Sequence, residues 1–113
     1  MEDKSVLYRL KSDNDVEEVL DSKKLIVIKF TAKWCGPCKK IEPHFKKLSV
    51  KYPEVIFCKI NVDKLDDHHL TQQVRSLPTF MFFYHHKKVH EFSGASISKL
   101  ETSLHKLSKK YKS

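Results

Sequence analysis

Leu25-Ile26-Val27-Ile28-Lys29-Phe30 is a run of six residues in which only Lys29 is polar. A strand with one wet face alternates apolar and polar side chains. A run without that alternation is expected where both faces are covered. Covered strands belong mostly to sheets with parallel neighbours and helices packed on both sides, so this segment points to an α/β arrangement. Trp34-Cys35-Gly36-Pro37-Cys38 follows soon after it.

Around this run the chain alternates strand-like and helix-like patterns, with no internal repeat, linker or break in composition. Residues 6–10 read as an edge strand. Ser12 with Asp15 makes a capping-box pattern that opens a short helix through Leu20. Ile41, Phe45, Leu48 and Tyr52 recur at helical spacing and predict a one-sided helix that ends at Pro53. Pro43 lies inside it, removes one backbone hydrogen bond, and predicts a kink. Residues 55–62 predict a second buried strand, and Asp63 with Asp66 another capped helix start. Residues 79–83 and 89–92 pair as a hairpin around His85-His86-Lys87-Lys88. Leu100, Leu104, Leu107 and Tyr111 mark the apolar face of a last helix. The order βαβαβαββα demands parallel strands with right-handed crossovers, closed by antiparallel ones. The expectation is a single α/β domain over residues 1–113, a central mixed β-sheet flanked by α-helices.

A chain of 113 residues has one domain's length and buries about two-thirds of its unfolded surface. Only two Gly and four Pro argue against a low-complexity chain. No stretch reaches the ~18 apolar residues that span a bilayer. Met1-Glu2-Asp3-Lys4-Ser5 carries acids where a secretory leader has a basic flank, and no apolar segment follows. A cytoplasmic location is expected, with the nucleus open by diffusion. Three cysteines are too few for a secreted disulfide framework. The net charge of +8 favours acidic partners or anions. Its lysines are spread along the chain, densest at Lys106, Lys109, Lys110 and Lys112, which reads as a solvated surface. A nucleic-acid binder would concentrate them in a stripe.

Cys35 follows a central strand and opens a helix, where unpaired N–H groups and the positive end of the helix dipole favour a thiolate. Its pKa is expected below the free value of ~8.5. Cys38 lies one turn on, on the same face, near enough for a small disulfide ring and more shielded. Cys35 is therefore the expected nucleophile on a substrate disulfide, and Cys38 the group that resolves the mixed disulfide. Gly36 and Pro37 make the linker, and Pro37 stiffens the turn. Half of a zinc site is the competing reading of a Cys-x-x-Cys. It needs a second ligand pair, which Cys58, inside a core strand, does not provide. Seven histidines invite a metal reading too, but His68-His69, His85-His86 and His90 lack ligand spacing and read as loop residues. No metal is expected.

Residues 30–39, Phe-Thr-Ala-Lys-Trp-Cys-Gly-Pro-Cys-Lys, together with Leu77-Pro78-Thr79-Phe80 and Glu91-Phe92-Ser93-Gly94-Ala95, resemble the thioredoxin family, most closely its animal cytosolic members. The resemblance covers nearly the whole chain. It implies the thioredoxin fold and protein-disulfide reduction that maintains cell redox balance, with Cys35–Cys38 as the redox disulfide. By position, Pro78 would be a cis-proline opposite the dithiol, with the backbone at Leu77 pairing with an extended substrate. Trp34 would flank the sulfurs as a docking platform. Gly94 would admit a partner chain closely, or simply form a helix-entry turn. No cofactor would be held by the chain; electrons would come from NADPH through thioredoxin reductase. Clients would be of the peroxiredoxin, methionine sulfoxide reductase and ribonucleotide reductase type. Ser76 stands where some animal members carry a cysteine, so a monomer or a weak non-covalent dimer is implied.

One position departs from the family pattern. Members usually carry a buried Asp in the strand before the dithiol, taken to help deprotonate the resolving cysteine; here it is Lys29. Lys59 occupies a place where some members put a lysine partner for that Asp. Two lysines without an acid would repel, and Lys29 either snorkels to solvent or alters the pH dependence of the resolving step. Two other functions stay open on the residues alone. One is a thioredoxin-fold binding module with weak turnover. The other, a disulfide-forming domain of an oxidising compartment, is disfavoured by the missing leader and the Gly-Pro linker.

Overall fold

The computed structural model describes residues 4–112. Strands β1 (Tyr8–Arg9), β2 (Ile26–Thr31), β3 (Ile56–Asn61), β4 (Thr79–Tyr84) and β5 (Lys87–Ser93) form one sheet in the order β1-β3-β2-β4-β5. β1, β3 and β2 run parallel, while β4 and β5 are antiparallel to their neighbours. The expected mixed sheet is present, and its three helices, α1 (Asp13–Leu20), α2 (Gly36–Lys51) and α3 (Ile97–Lys110), cover both faces.

Side-chain alternation along β2 assigns those faces. Ile26, Ile28 and Phe30 join Val16 and Leu20 of α1 in one core. Val27 points the other way, into a core with Ile41, Phe45 and Leu48 of α2 and Leu100 and Leu104 of α3. Because strand side chains alternate, Lys29 shares the α2 face with Val27. Both faces of β2 are thus dry, as the unbroken apolar run requires.

The helix starts follow local signals. Ser12 accepts the Asp15 N–H, while the Asp15 carboxylate takes the Lys11 N–H at 2.8 Å. Ser96 caps α3 in the same way through the Lys99 N–H. α2 runs through Pro43 to Lys51. The edge strand expected over 6–10 shrinks to Tyr8–Arg9.

The helix expected to open at Asp63 does not form. Consecutive turns lead instead to a short 3-10 segment, Thr71–Gln73. Asp63 donates its N–H to Asn61 and gives its carboxylate to a side chain described below, so it caps nothing. Leu65 and Leu70 are drawn into the α1-side core, and the intervening Asp and His are weak helix formers. Tertiary packing outweighs the cap signal.

The β4–β5 turn places His85 and His86 at φ +50° and +65°, the left-handed region that a two-residue hairpin needs. Histidine is strained there where Asn-Gly is not. His86 Nε2 lies 2.8 Å from the Asp21 carboxylate, an exposed contact that offsets little of this. His85→Asn with His86→Gly is therefore expected to raise stability by about 1 kcal/mol, read as an upward shift of the urea midpoint at unchanged slope.

Candidate active site

β2 delivers the chain to the C-terminal edge of the sheet, and α2 begins five residues later at Gly36. Cys35 is the N-cap of α2, with extended backbone, and Pro37 sits in the first turn, where its missing N–H costs no hydrogen bond. The Cys38 N–H donates to Cys35 Sγ at 3.2 Å. That donor is one of the orphan amides of the helix start, where unpaired N–H groups and the positive helix end favour a thiolate over a thiol. Cys35 and Cys38 are joined as a disulfide, their Cα atoms 5.3 Å apart.

Burial does not separate the two sulfurs, since the residues are 4% and 2% exposed. What separates them is the space each one meets. Cys35 opens onto a surface cavity of about 510 Å³ that Trp34, Pro37, Val74 and Leu77 also line. Cys38 faces a second cavity of about 270 Å³, lined by a different set of residues that includes Lys29, Glu42 and Lys59.

Trp34 is 71% exposed beside the sulfurs. Its indole N–H donates to the Asp63 carboxylate at 3.0 Å, which holds the ring at the cavity rim. Sequence reasoning read Asp63 as a helix cap and missed this contact. The Leu77–Pro78 peptide is cis, and Leu77 lines the Cys35 cavity. Gly94 does not line that cavity. Its N–H donates to the Pro78 carbonyl at 2.8 Å, and its φ of +101° is open to glycine but strained for other residues. Gly94 lies in the turn between β5 and α3.

A family model for thioredoxin matches residues 6–106. The chain belongs to the thioredoxin family. It is 45% identical to human thioredoxin over 104 residues, which is 90% of this chain and 99% of that one. Thioredoxin of the snake Ophiophagus hannah is 49% identical over 83 residues, 74% of this chain and 79% of that protein. The structure of reduced Schistosoma mansoni thioredoxin pre-protein superposes with a TM-score of 0.83 at 44% identity, covering 90% of this chain and 98% of that one. The chain is accordingly a thiol–disulfide oxidoreductase with the thioredoxin fold, and its redox centre is the Cys35–Cys38 pair.

The surroundings of Lys29 correct two expectations. It does not snorkel: the residue is 1% exposed on the face beneath α2. Nor do Lys29 and Lys59 meet without an acid. They are neighbours in the β2–β3 register, and Glu42 of α2 lies between them. One Glu42 oxygen accepts from Lys29 Nζ, and the other from Lys59 Nζ at 2.8 Å. Burial lowers the Lys29 pKa below its ordinary value, with Glu42 partly offsetting the shift. Burial alone would raise the Glu42 carboxyl, but its hydrogen bonds from both lysines hold it below the usual range. The carboxylate between the two lysines is thus supplied by α2. One signal could have found it: Glu42 is four residues beyond Cys38, on the same helix face. Lys29, Glu42, Lys59 and Cys38 all line the 270 Å³ cavity.

Among the described residues, no three His, Cys, Asp or Glu side chains cluster as metal ligands. Cys58 is buried, and burial pushes its thiol up to about 12. It is expected to resist iodoacetamide from pH ~7 to ~9 in the folded protein and to react once urea unfolds the chain. Mass spectrometry of the alkylated peptides checks this.

Proposed function

We propose that Cys35 is the attacking thiolate and Cys38 the resolving group of a general protein-disulfide reductase, working as one domain over residues 1–113. Cys35 Sγ attacks one sulfur of a client disulfide, forming a mixed disulfide as the other client sulfur leaves as thiolate. Cys38 thiolate then attacks Cys35 Sγ, closing the Cys35–Cys38 disulfide and releasing the second client thiolate. Two electrons pass to the client, which gains two protons from solvent. The observation that carries these roles is that only Cys35, at the helix N-cap, meets the cavity ringed by Trp34, Pro37 and Leu77.

Trp34 and Leu77 hold the client, with Pro78 shaping the backbone that pairs with it and Gly94 admitting the client chain closely; Gly36 and Pro37 set the linker. Reduction is restored by thioredoxin reductase with NADPH. Clients are of the peroxiredoxin, methionine sulfoxide reductase and ribonucleotide reductase type. The chain works in the cytoplasm, with access to the nucleus, as a monomer or weak non-covalent dimer. Insulin reduction coupled to NADPH and thioredoxin reductase tests the reading; near-inactivity there would favour a binding module.

Lys29 acts on the resolving step. With Glu42 and Lys59 it forms a group of net charge +1 beside Cys38, which favours the thiolate. Lys29→Asp makes that group net negative and raises the Cys38 pKa. The pH–rate profile of insulin reduction, and of single-turnover release from a mixed disulfide, is expected to move up by about one pH unit or more. Superimposable profiles would remove the role.

A further inference from the structure

Lysines that look dispersed in the chain converge in the fold. Arg9 comes from β1, Lys11 from the segment after it, Lys33 from the loop before Trp34, Lys39 from α2, and Lys64 from the turns after β3. All five line the 270 Å³ cavity that holds Cys38 on one wall. Among the described residues none of the five has an ion-pair partner. With Lys29 and Lys59 there are seven cationic side chains around one concavity, against the single carboxylate of Glu42. A concave, partly apolar enclosure focuses such a field far more than an open surface does.

The chemistry of the lining narrows the ligand. A lone carboxylate or chloride would leave most of the five free cations uncompensated, so the occupant carries several charges. Six of the seven cations are lysines, compact ammonium charges that can meet phosphate oxygens from several directions at once, so the lining matches an anion that carries several charges. The volume falls just below the ~300 Å³ at which sites for drug-sized molecules begin. That suits a compact anion and not an extended polymer. We propose that this cavity is a binding site for a small oligophosphate-class anion, seated behind the resolving cysteine. Its occupation would oppose the Cys38 thiolate and slow resolution, so the anion would modulate the reductase. Only that effect rests on the assigned cysteine roles; binding itself does not.

Titrating the full-length chain calorimetrically with tripolyphosphate in about 0.15 M salt tests the site. Saturable binding with one ligand per chain is expected, weakened about tenfold in Lys11→Gln/Lys64→Gln, two exposed positions away from the dithiol. In a Cys35→Ser background, tripolyphosphate should slow alkylation of Cys38 roughly threefold to tenfold near neutral pH. The double lysine variant should lose that protection. Absence of saturable binding, or equal affinity in the double variant, overturns the site. A single-stranded oligothymidylate binding more tightly than tripolyphosphate would reassign the surface to nucleic acid and also overturn it. Insulin reduction without added anion is a separate measurement, so failure of the reductase reading would be seen apart from failure of the anion site.

Discussion

Cys35→Ser is expected to lower disulfide-reductase turnover at least about a thousandfold, because no other described thiol meets the client cavity. Cys38→Ser should fail differently. The first attack still occurs, but the mixed disulfide has no internal group to displace it, so adducts accumulate on Cys35. Both variants are expected to fold, since neither sulfur belongs to the two main cores, and circular dichroism checks this. Incubation with a disulfide client, followed by non-reducing electrophoresis and mass spectrometry, distinguishes them: adducts with Cys38→Ser, none with Cys35→Ser. Adducts on Cys38 would reverse the assigned roles.

The largest stability effect is expected at Glu42. Removing one partner of a buried ion pair leaves the other charge uncompensated, at a cost of about 3–5 kcal/mol. Glu42 is itself 25% exposed, which places Glu42→Leu toward the lower end. Lys29→Met/Glu42→Leu should recover most of the loss, because the isolated ammonium is gone and Met fills the space beside Phe45, whose ring lies 5.3 Å from Lys29 Nζ. Titration adds a sign. In Glu42→Leu the Lys29 pKa falls further below its ordinary 10.5, so the unfolded chain binds a proton that the folded one rejects. Stability of that variant should therefore rise with pH toward 10.5. In the parent chain the Glu42 carboxyl sits below its ordinary 4.5, so its contribution is present above 4.5 and is lost as pH falls through the lower folded value. Urea denaturation across pH measures both. A single Glu42→Leu as stable as the parent at neutral pH would dismiss the buried triad.

Much of this was legible from residue order. The unbroken 25–30 run announced a strand dry on both faces, and β2 lies in the middle of the sheet. Ser12 with Asp15 announced the start of α1, and the apolar stripe from Ile41 to Tyr52 announced α2. Asp63 misled because the same carboxylate that caps a helix also accepts from an indole, and Trp34 lies 29 residues away in the chain. No local pattern reports such a choice.

Sequence alone determined the periodicities, the strand-then-helix setting of Cys35 and the spacing to Cys38, because these depend on neighbours within a turn or two. Tertiary structure alone decided that Glu42 stands between Lys29 and Lys59, that the two sulfurs open onto different cavities, and that scattered lysines share one of them. Those outcomes follow from how α2 and the β3 strand lie across β2. Charge and solvent access are set by distance in space, which a linear pattern does not encode.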